Sequence, residues 1–432
     1  MCHGRHGGSA ATRGNYRHSL LALLISFLPG TWSPVTARRG CWCEWSLALV
    51  ALAMNLSSHS CASQRFREAR LLLAVAGPRL PLCGRTYQGF IKALMLHGHR
   101  LVQTFAECLR ARMLSMPSDR QLIHGWNAFA VDGSHFDAPR TTSNLRKLKC
   151  LGTRGDNQTH PQLTLTSLYH MGTGVLFSWM VGTARASERS MLRRLVHGLP
   201  PGSLIVADAG FFGFDLLSGI VAGGRSFLIR GCGSFQLIKE PGRRTGYLYW
   251  PRDLRTHRPL RVRLIRVGGI ELVTNVLSSS QLSKATAHEF YRMRWGIEVM
   301  FRTLKQTLER RTVCSRNGRK AMMELEWIAV TFQLMSLCMA ELCTDPRQKR
   351  LSAAGVLAEL RCHLHPASRR TPVALTHRLK RCVMDSYARP SKKASKNWPR
   401  KKTCKPAKRV AIRAIERYEL ALLRAFDQKT VS

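Results

Sequence analysis

Apolar residues along this chain follow two rhythms. Residues 127–230 read as short apolar runs and period-two alternations, which predict strands, punctuated by helical stretches. Residues 127–133 (NAFAVDG) predict a buried strand ending in a turn, with Asp132 at its C-terminal end. A basic loop is expected over 136–161. Residues 163–171 and 174–182 predict two strands joined by Gly172-Thr173, a hairpin signal. Residues 187–199 predict a helix with Ser187 as N-cap. Residues 203–208 (SLIVAD) predict an apolar strand ending in an aspartate. A helix over 214–222 and a strand over 226–230 complete the run.

Crossover helices imply parallel pairing among the later strands, so a mixed sheet with flanking helices is expected. Asp132 and Asp208 then both stand at C-terminal strand ends, where open α/β sheets place their ligand sites. Residues 232–280 interrupt the pattern. Their β-prone runs, 247–250, 260–267 and 270–276, predict an inserted β-rich subdomain, and a linker over 278–283 leads back to helix.

The rest is helical in rhythm. Residues 68–120 predict helices, with Gly77-Pro78 and Leu80-Pro81 as breaks. Residues 321–342 are apolar but broken by Glu324, Glu326, Gln333 and Glu341, which favours a buried core helix over a membrane span. Further helices are expected over 351–365 and 410–426.

Residues 288–311 (HEFYRMRWGIEVMFRTLKQTLERR) form the most informative stretch. As one helix at about 100° per residue, it gathers Tyr291, Arg294, Glu298 and Lys305 in a polar sector about 60° wide, with Arg302 at its edge. Phe290, Met293, Ile297, Met300, Phe301, Leu304 and Leu308 form an adjacent apolar stripe. Ion pairs four residues apart would explain the polar sector by themselves. A glycine at 296, which costs roughly 1 kcal/mol against alanine inside a helix, argues for a reason beyond stability.

Charge narrows the choice of partner. With 68 Lys+Arg against 25 Asp+Glu, the chain carries a net charge of +43. A folded protein this basic calls for a polyanion, and nucleic acid is the default; an anionic membrane surface is the weaker alternative. The 14 cysteines include no C-x-x-C pair, so they read as reduced thiols of an intracellular protein rather than a zinc or disulfide framework. Residues 389–409 contain no acid and predict a nucleic-acid-binding arm.

The boundaries expected on this reading are an atypical extension over 1–60, a helical DNA-contacting region over 61–122, a core over 123–231, the β-rich insertion over 232–280, the returning core over 281–343, and a basic region over 344–432. The apolar runs 20–29 and 45–54 are too short to span a bilayer. Residues 1–60 share none of the pattern downstream, and initiation near Met54 is the expectation; a signal peptide is the weaker reading.

Cutting a phosphodiester requires an in-line nucleophile and charge relief on the leaving oxygen, which a pair of divalent cations supplies. Such ions take carboxylate oxygens. Asp132, Asp208 and Glu298 are the candidates, from two strand ends and one helix. The spacing Tyr291-x2-Arg294-x3-Glu298-x6-Lys305 resembles the Tyr-Arg-Glu-Lys motif of a large family of bacterial insertion-sequence transposases with a DDE active site. Asp132-Gly133-Ser134 and Asp208-Ala209-Gly210-Phe211 resemble that family's two aspartate motifs, although Thr is commoner than Ser in the first. The likeness covers about 127–311.

The resemblance implies a ribonuclease-H-like fold whose β-rich insertion lies between the fifth strand and the glutamate helix. It implies cleavage of element ends and joining to target DNA, by hydrolysis and then transesterification, with two Mg²⁺ or Mn²⁺ ions. Asp132, Asp208 and Glu298 would be the catalytic metal ligands. Tyr291, Arg294 and Lys305 would contact the DNA backbone; Arg302 joins them from its helix face alone. The implied partners are double-stranded DNA, as terminal inverted repeats and target, and a second copy forming a homodimer on it. The implied location is cytoplasmic and nucleoid-associated, without stable membrane association. Two alternatives stand beside this: a degenerate transposase-derived DNA-binding protein without catalysis, and a basic membrane-surface or ribosome-associated protein, which explains the charge but not the Glu298 helix.

Overall fold

The computed structural model describes residues 20–32, 42–76, 84–151, 160–250, 256–343, 350–364, 374–384 and 409–428. The first elements are helices α1 (Leu20–Phe27), α2 (Glu44–Leu56), α3 (Ala62–Ala76), α4 (Tyr87–Leu114) and the short α5 (Ser118–Gln121). Strand β1 (Ala128–Asp137), helix α6 (Thr142–Leu148) and strands β2 (Gln162–His170) and β3 (Val175–Thr183) follow. Then come α7 (Glu188–Leu195), β4 (Leu204–Ala207), α8 (Phe214–Ala222) and β5 (Ser226–Arg230). Four strands succeed them: β6 (Gln236–Lys239), β7 (Tyr247–Tyr249), β8 (Leu260–Val267) and β9 (Ile270–Thr274). The chain continues through α9 (Lys284–Met293), α10 (Trp295–Arg302), a π turn over Thr303–Thr307, α11 (Gly318–Leu342), α12 (Ala353–Cys362), α13 (Leu375–Lys380), β10 (Ala411–Arg413) and α14 (Arg417–Gln428).

These elements fall into two compact units, each of several chain segments. One comprises Met1–Met116, His135–Leu163 and Arg302–Asp385; the other comprises Pro117–Ser134, Thr164–Phe301 and Ser386–Ser432.

The first unit is helical. Its centre is α11, which packs against α2, α4 and α6. One 18-residue window of α11 is apolar enough for a membrane span, but 78% of it is buried inside the fold. Its cap and Thr331 are hydrogen-bonded. Asn317 caps its start by accepting from the Arg319 and Lys320 amides, and Thr331 Oγ1 donates to the Trp327 carbonyl at 2.6 Å while accepting from Asn55 Nδ2 at 3.2 Å. Both early apolar runs are helices, and α2 is buried along almost its whole length. Buried Arg310 donates to the carbonyls of Asn55 and Ser57 at 2.9 and 2.6 Å, tying the end of α2 into this unit.

The second unit is built round a ten-stranded sheet in the order β10-β6-β7-β8-β9-β5-β4-β1-β2-β3. β4 is buried at all four positions, which is why it reads as a continuous apolar run. It pairs in parallel with β1 on one side, Phe129 opposite Ile205, and with β5 on the other, Val206 opposite Leu228. β5 then pairs antiparallel with β9, and β9, β8, β7 and β6 continue antiparallel.

Several expectations need correcting. The strands of the insertion extend the core sheet through the β5–β9 ladder instead of forming a separate sheet. Residues 410–426 are not one helix: β10 adds to the sheet beside β6 before α14 begins. α14 begins at Arg417 and buries Leu423 against Ile238, Leu248 and Trp250. The loop expected over 136–161 contains α6, N-capped by Thr141. Most of the basic stretch 389–409 and residues 1–19 lie outside the described residues.

Candidate active site

The polypeptide reaches Asp132 along β1, in mid-strand and not at a strand end. β1 runs on through Gly133 to Asp137, where its amide donates to the Arg311 carbonyl at 2.9 Å and its carbonyl accepts from the Val313 amide. Asp132-Gly133 is therefore no turn. Gly133 is explained by crowding: a β-carbon there would collide with the carboxylate of Glu188. Asp132 Oδ1 accepts from the Gly133 amide at 2.9 Å.

Asp208 follows β4 immediately, as the sequence indicates. Its carboxylate caps a single 3-10 turn over Ala209–Phe211, accepting from the Gly210 amide at 2.8 Å. That cap fixes the side chain at the end of a strand buried on every side.

Glu298 lies on α10. The helix expected over 288–311 is not continuous in hydrogen bonding. α9 ends at Met293, α10 begins at Trp295, and the Ile297 amide donates to the Arg294 carbonyl, one residue closer than in an α-helix. The last turn widens to π geometry, with the Leu308 amide on the Thr303 carbonyl, and Glu309 at φ 59 stops it. Two side-chain contacts sit at this join. Gly296 faces the ring of Tyr169 on β2, and a β-carbon would lie 3.0 Å from it. The buried Arg294 donates to Glu298 Oε1 at 2.7 Å, with its guanidinium 5.5 Å from the centre of the Tyr291 ring. The i, i+4 pair anticipated for this face is present, with Arg294 buried and Glu298 half-buried.

Electrostatics link these groups. Burial pushes the Asp132 carboxyl up to about 6; Asp208 and Glu298 push the same way, while the Gly133 amide and Arg294 oppose. Burial alone would lower the Arg294 pKa, yet its hydrogen bond to Glu298, together with the charges of Tyr291, Glu298 and Asp132, raises it. Tyr291, Arg294, Glu298, Asp132 and Asp208 thus lie in one unit, and the Arg294 guanidinium acts on two of the acids, Glu298 and Asp132. Arg294 Nε is buried without a hydrogen-bond partner among the described residues.

Arg302 and Lys305 belong to the other unit. Arg302 is exposed. Lys305 Nζ sits 5.1 Å from the centre of the Phe136 ring, and burial lowers its pKa, with Asp137 opposing and Arg311 adding to the fall.

Sequence reasoning missed Glu188. It reads as an ordinary first-turn acid behind its Ser187 cap. Burial raises its pKa, and Asp132 and Asp208 raise it further. The available signal was the scarcity of acids in a chain with only 25. Among the described residues, no group of three or more His, Cys, Asp or Glu side chains is close enough to hold a metal ion.

A mixed sheet carrying acids at adjacent central strands and on a following helix defines a class of carboxylate-centred α/β proteins. Comparison with known proteins narrows it. Residues 125–334 match the family model described as "Transposase DDE domain". The transposase InsG for insertion sequence element IS4, from Escherichia coli (strain K12), is 21% identical over 217 residues, 47% of this chain and 49% of that protein. The chain therefore spans about half the length of that relative. A cryo-EM structure of piggyBac transposase in a synaptic complex with hairpin DNA aligns over 87% of this chain and 84% of that one, at 9% identity and a TM-score of 0.39. A likeness at that level does not bear on the fold. Over about half its length the chain is thus similar to transposases, by the family model and by the insertion-sequence relative.

Proposed function

We propose that this protein is a DNA transposase that cuts element ends and joins them to target DNA by metal-dependent hydrolysis and transesterification. The observation that carries the reading is the match of residues 125–334, the stretch that holds Asp132, Asp208 and Glu298, to a transposase domain.

The residues fit divalent cations in their chemistry. The donors are all carboxylate oxygens, as Mg²⁺ and Mn²⁺ prefer. Asp132 and Glu298 both act on the Arg294 guanidinium, and the Glu188 carboxylate sits against Gly133. Asp132, Asp208 and Glu298 would hold the ions. Two such ions would supply charge relief to the scissile phosphate and a deprotonated oxygen nucleophile.

The side chains do the positioning. The Gly210 amide holds Asp208 in place. Arg294 orients Glu298 through a charge-assisted hydrogen bond. Tyr291, stacked on Arg294, presents a hydroxyl of the kind that contacts DNA backbone. Lys305 would bind phosphate as a point charge, and Arg302 through its planar guanidinium.

Two further features support the reading. The strand order β3-β2-β1-β4-β5, with β6–β9 intervening before the glutamate helix, is compatible with the ribonuclease-H-like sheet that the reading expects. The net charge of +43 suits double-stranded DNA, both terminal repeats and target. A homodimer would pair two ends, and the working location would be the nucleoid in the cytoplasm. The expected regions 61–122, 123–231, 232–280, 281–343 and 344–432 remain our functional partition.

One observation favours the alternative of a degenerate, non-cleaving DNA-binding protein: the three acids are not gathered into a ready metal cluster among the described residues. Cleavage assays separate the two. A duplex bearing the element's own end should be cut only with Mg²⁺ or Mn²⁺, and Asp132→Ala, Asp208→Ala and Glu298→Ala should each abolish cutting while sparing DNA binding. Binding without cutting by the wild-type protein would establish the alternative.

A further inference from the structure

Glu188 begins α7, and its place is set from three sides. Ser187 caps the helix, its hydroxyl accepting from the Ser190 amide at 3.4 Å. α7 packs on β3, on α8 and on the turn Ala209–Phe211 that follows Asp208. The carboxylate lies over the α-carbon of Gly133, next to Asp132, in space that any other residue at 133 would occupy. Among the described residues, no cation or hydrogen-bond donor pairs with it.

A purely structural role does not explain this position. An acid in the first turn gains about 0.3–1 kcal/mol from the helix dipole. It gains as much from a rotamer that faces water, away from Asp132 and Asp208. Instead the side chain turns inward, towards two like charges. A third carboxylate there is unfavourable unless a cation joins it. A strand interior that gives up its β-carbon to admit the group is the complementary half of the same arrangement.

We propose that Glu188 is a fourth carboxylate of the cation site formed by Asp132 and Asp208, admitted by Gly133. This rests on the transposase reading above. Four acids from β1, the end of β4, α10 and the start of α7 would then surround the ions. Substitutions at 133 would act through 188.

Mn²⁺ titration of the full chain tests this, by calorimetry and by the metal-induced rise in unfolding midpoint. Glu188→Gln should weaken Mn²⁺ binding by about tenfold or more, with an unchanged or higher midpoint in chelator. Gly133→Ala should weaken it similarly by displacing the carboxylate, and the double variant should lose no more than either single one, since both remove one interaction. Wild-type Mn²⁺ affinity in Glu188→Gln, alongside loss in Asp132→Asn, would overturn the role of Glu188 and leave the transposase site intact. A midpoint that falls in chelator for Glu188→Gln would make Glu188 structural and also overturn it. A wild-type protein indifferent to Mn²⁺, with Asp132→Asn no different, would remove the underlying site and this inference with it.

Discussion

Arg294 and Glu298 form an ion pair across the join of α9 and α10, 2.7 Å from nitrogen to oxygen, and Arg294 is among the few buried arginines of a very basic chain. It also acts against the Asp132 carboxylate, so its loss acts on two acids at once. Arg294→Gln should lower end cleavage by one to two orders of magnitude, from a lost charge-assisted bond of about 1.5–3 kcal/mol. DNA affinity should change less. Single-turnover cleavage and a binding isotherm on the same duplex separate these effects; equal losses in both would make Arg294 a DNA anchor alone.

Asp132 should be a stability liability in the metal-free protein. Its pKa is raised from an ordinary 3.8 to about 6. A raised folded pKa means that its contribution is fully present below about pH 4 and is lost as pH rises through about 6. At pH 7 without divalent cations, Asp132→Asn should therefore be more stable than wild type by about 2 kcal/mol, an advantage that fades towards pH 4. Urea unfolding in chelator at both pH values checks this. An Asn variant that is less stable at pH 7 would contradict it.

Much of this site was legible in the sequence because its signals are local. The run β4, Asp208, α8, β5 is marked by a four-residue apolar strand, a capping aspartate and glycines, and it appears where the pattern puts it. Tyr291, Arg294 and Glu298 share a face because their spacing spans less than two helical turns, so the break at Arg294 barely shifts them. What escaped was long-range. Asp132-Gly133 mimics a turn, but its glycine answers to Glu188, fifty-odd residues on, and no local rule reports that contact. The π turn and the halt at Glu309 likewise arise from packing, not from a proline or glycine in the chain.

His170 should make the protein acid-sensitive. It is buried on β2, its Nδ1 accepts from the Thr173 amide at 3.1 Å, and its Nε2 sits 2.8 Å from Asn127 Oδ1. Burial lowers its pKa from 6.5 to about 4. The unfolded chain takes up the proton first as pH falls, so the contribution of this group is intact above about 6.5 and lost on the way down through about 4. The loss should amount to roughly 3 kcal/mol. Unfolding midpoints of wild type and His170→Gln between pH 7 and 4 should converge or cross; parallel curves would sink the idea.

Arg310 should hold the first unit together. Burial lowers its pKa to about 10, and its guanidinium serves the carbonyls of Asn55 and Ser57. Arg310→Met should cost about 2–3 kcal/mol by leaving those carbonyls unpartnered. Denaturant titration measures it. A neutral result would mean that the end of α2 is not fastened to the unit in this way.

The central claim is that Asp132, Asp208 and Glu298 close around cations when DNA is bound. Anomalous diffraction from the Mn²⁺-loaded complex with a cut element end reads this directly. The account predicts manganese peaks within about 2.5 Å of oxygens from all three carboxylates. No peak, or a Glu298 carboxyl more than about 10 Å from the two aspartates, too far to share a two-ion site, would contradict it.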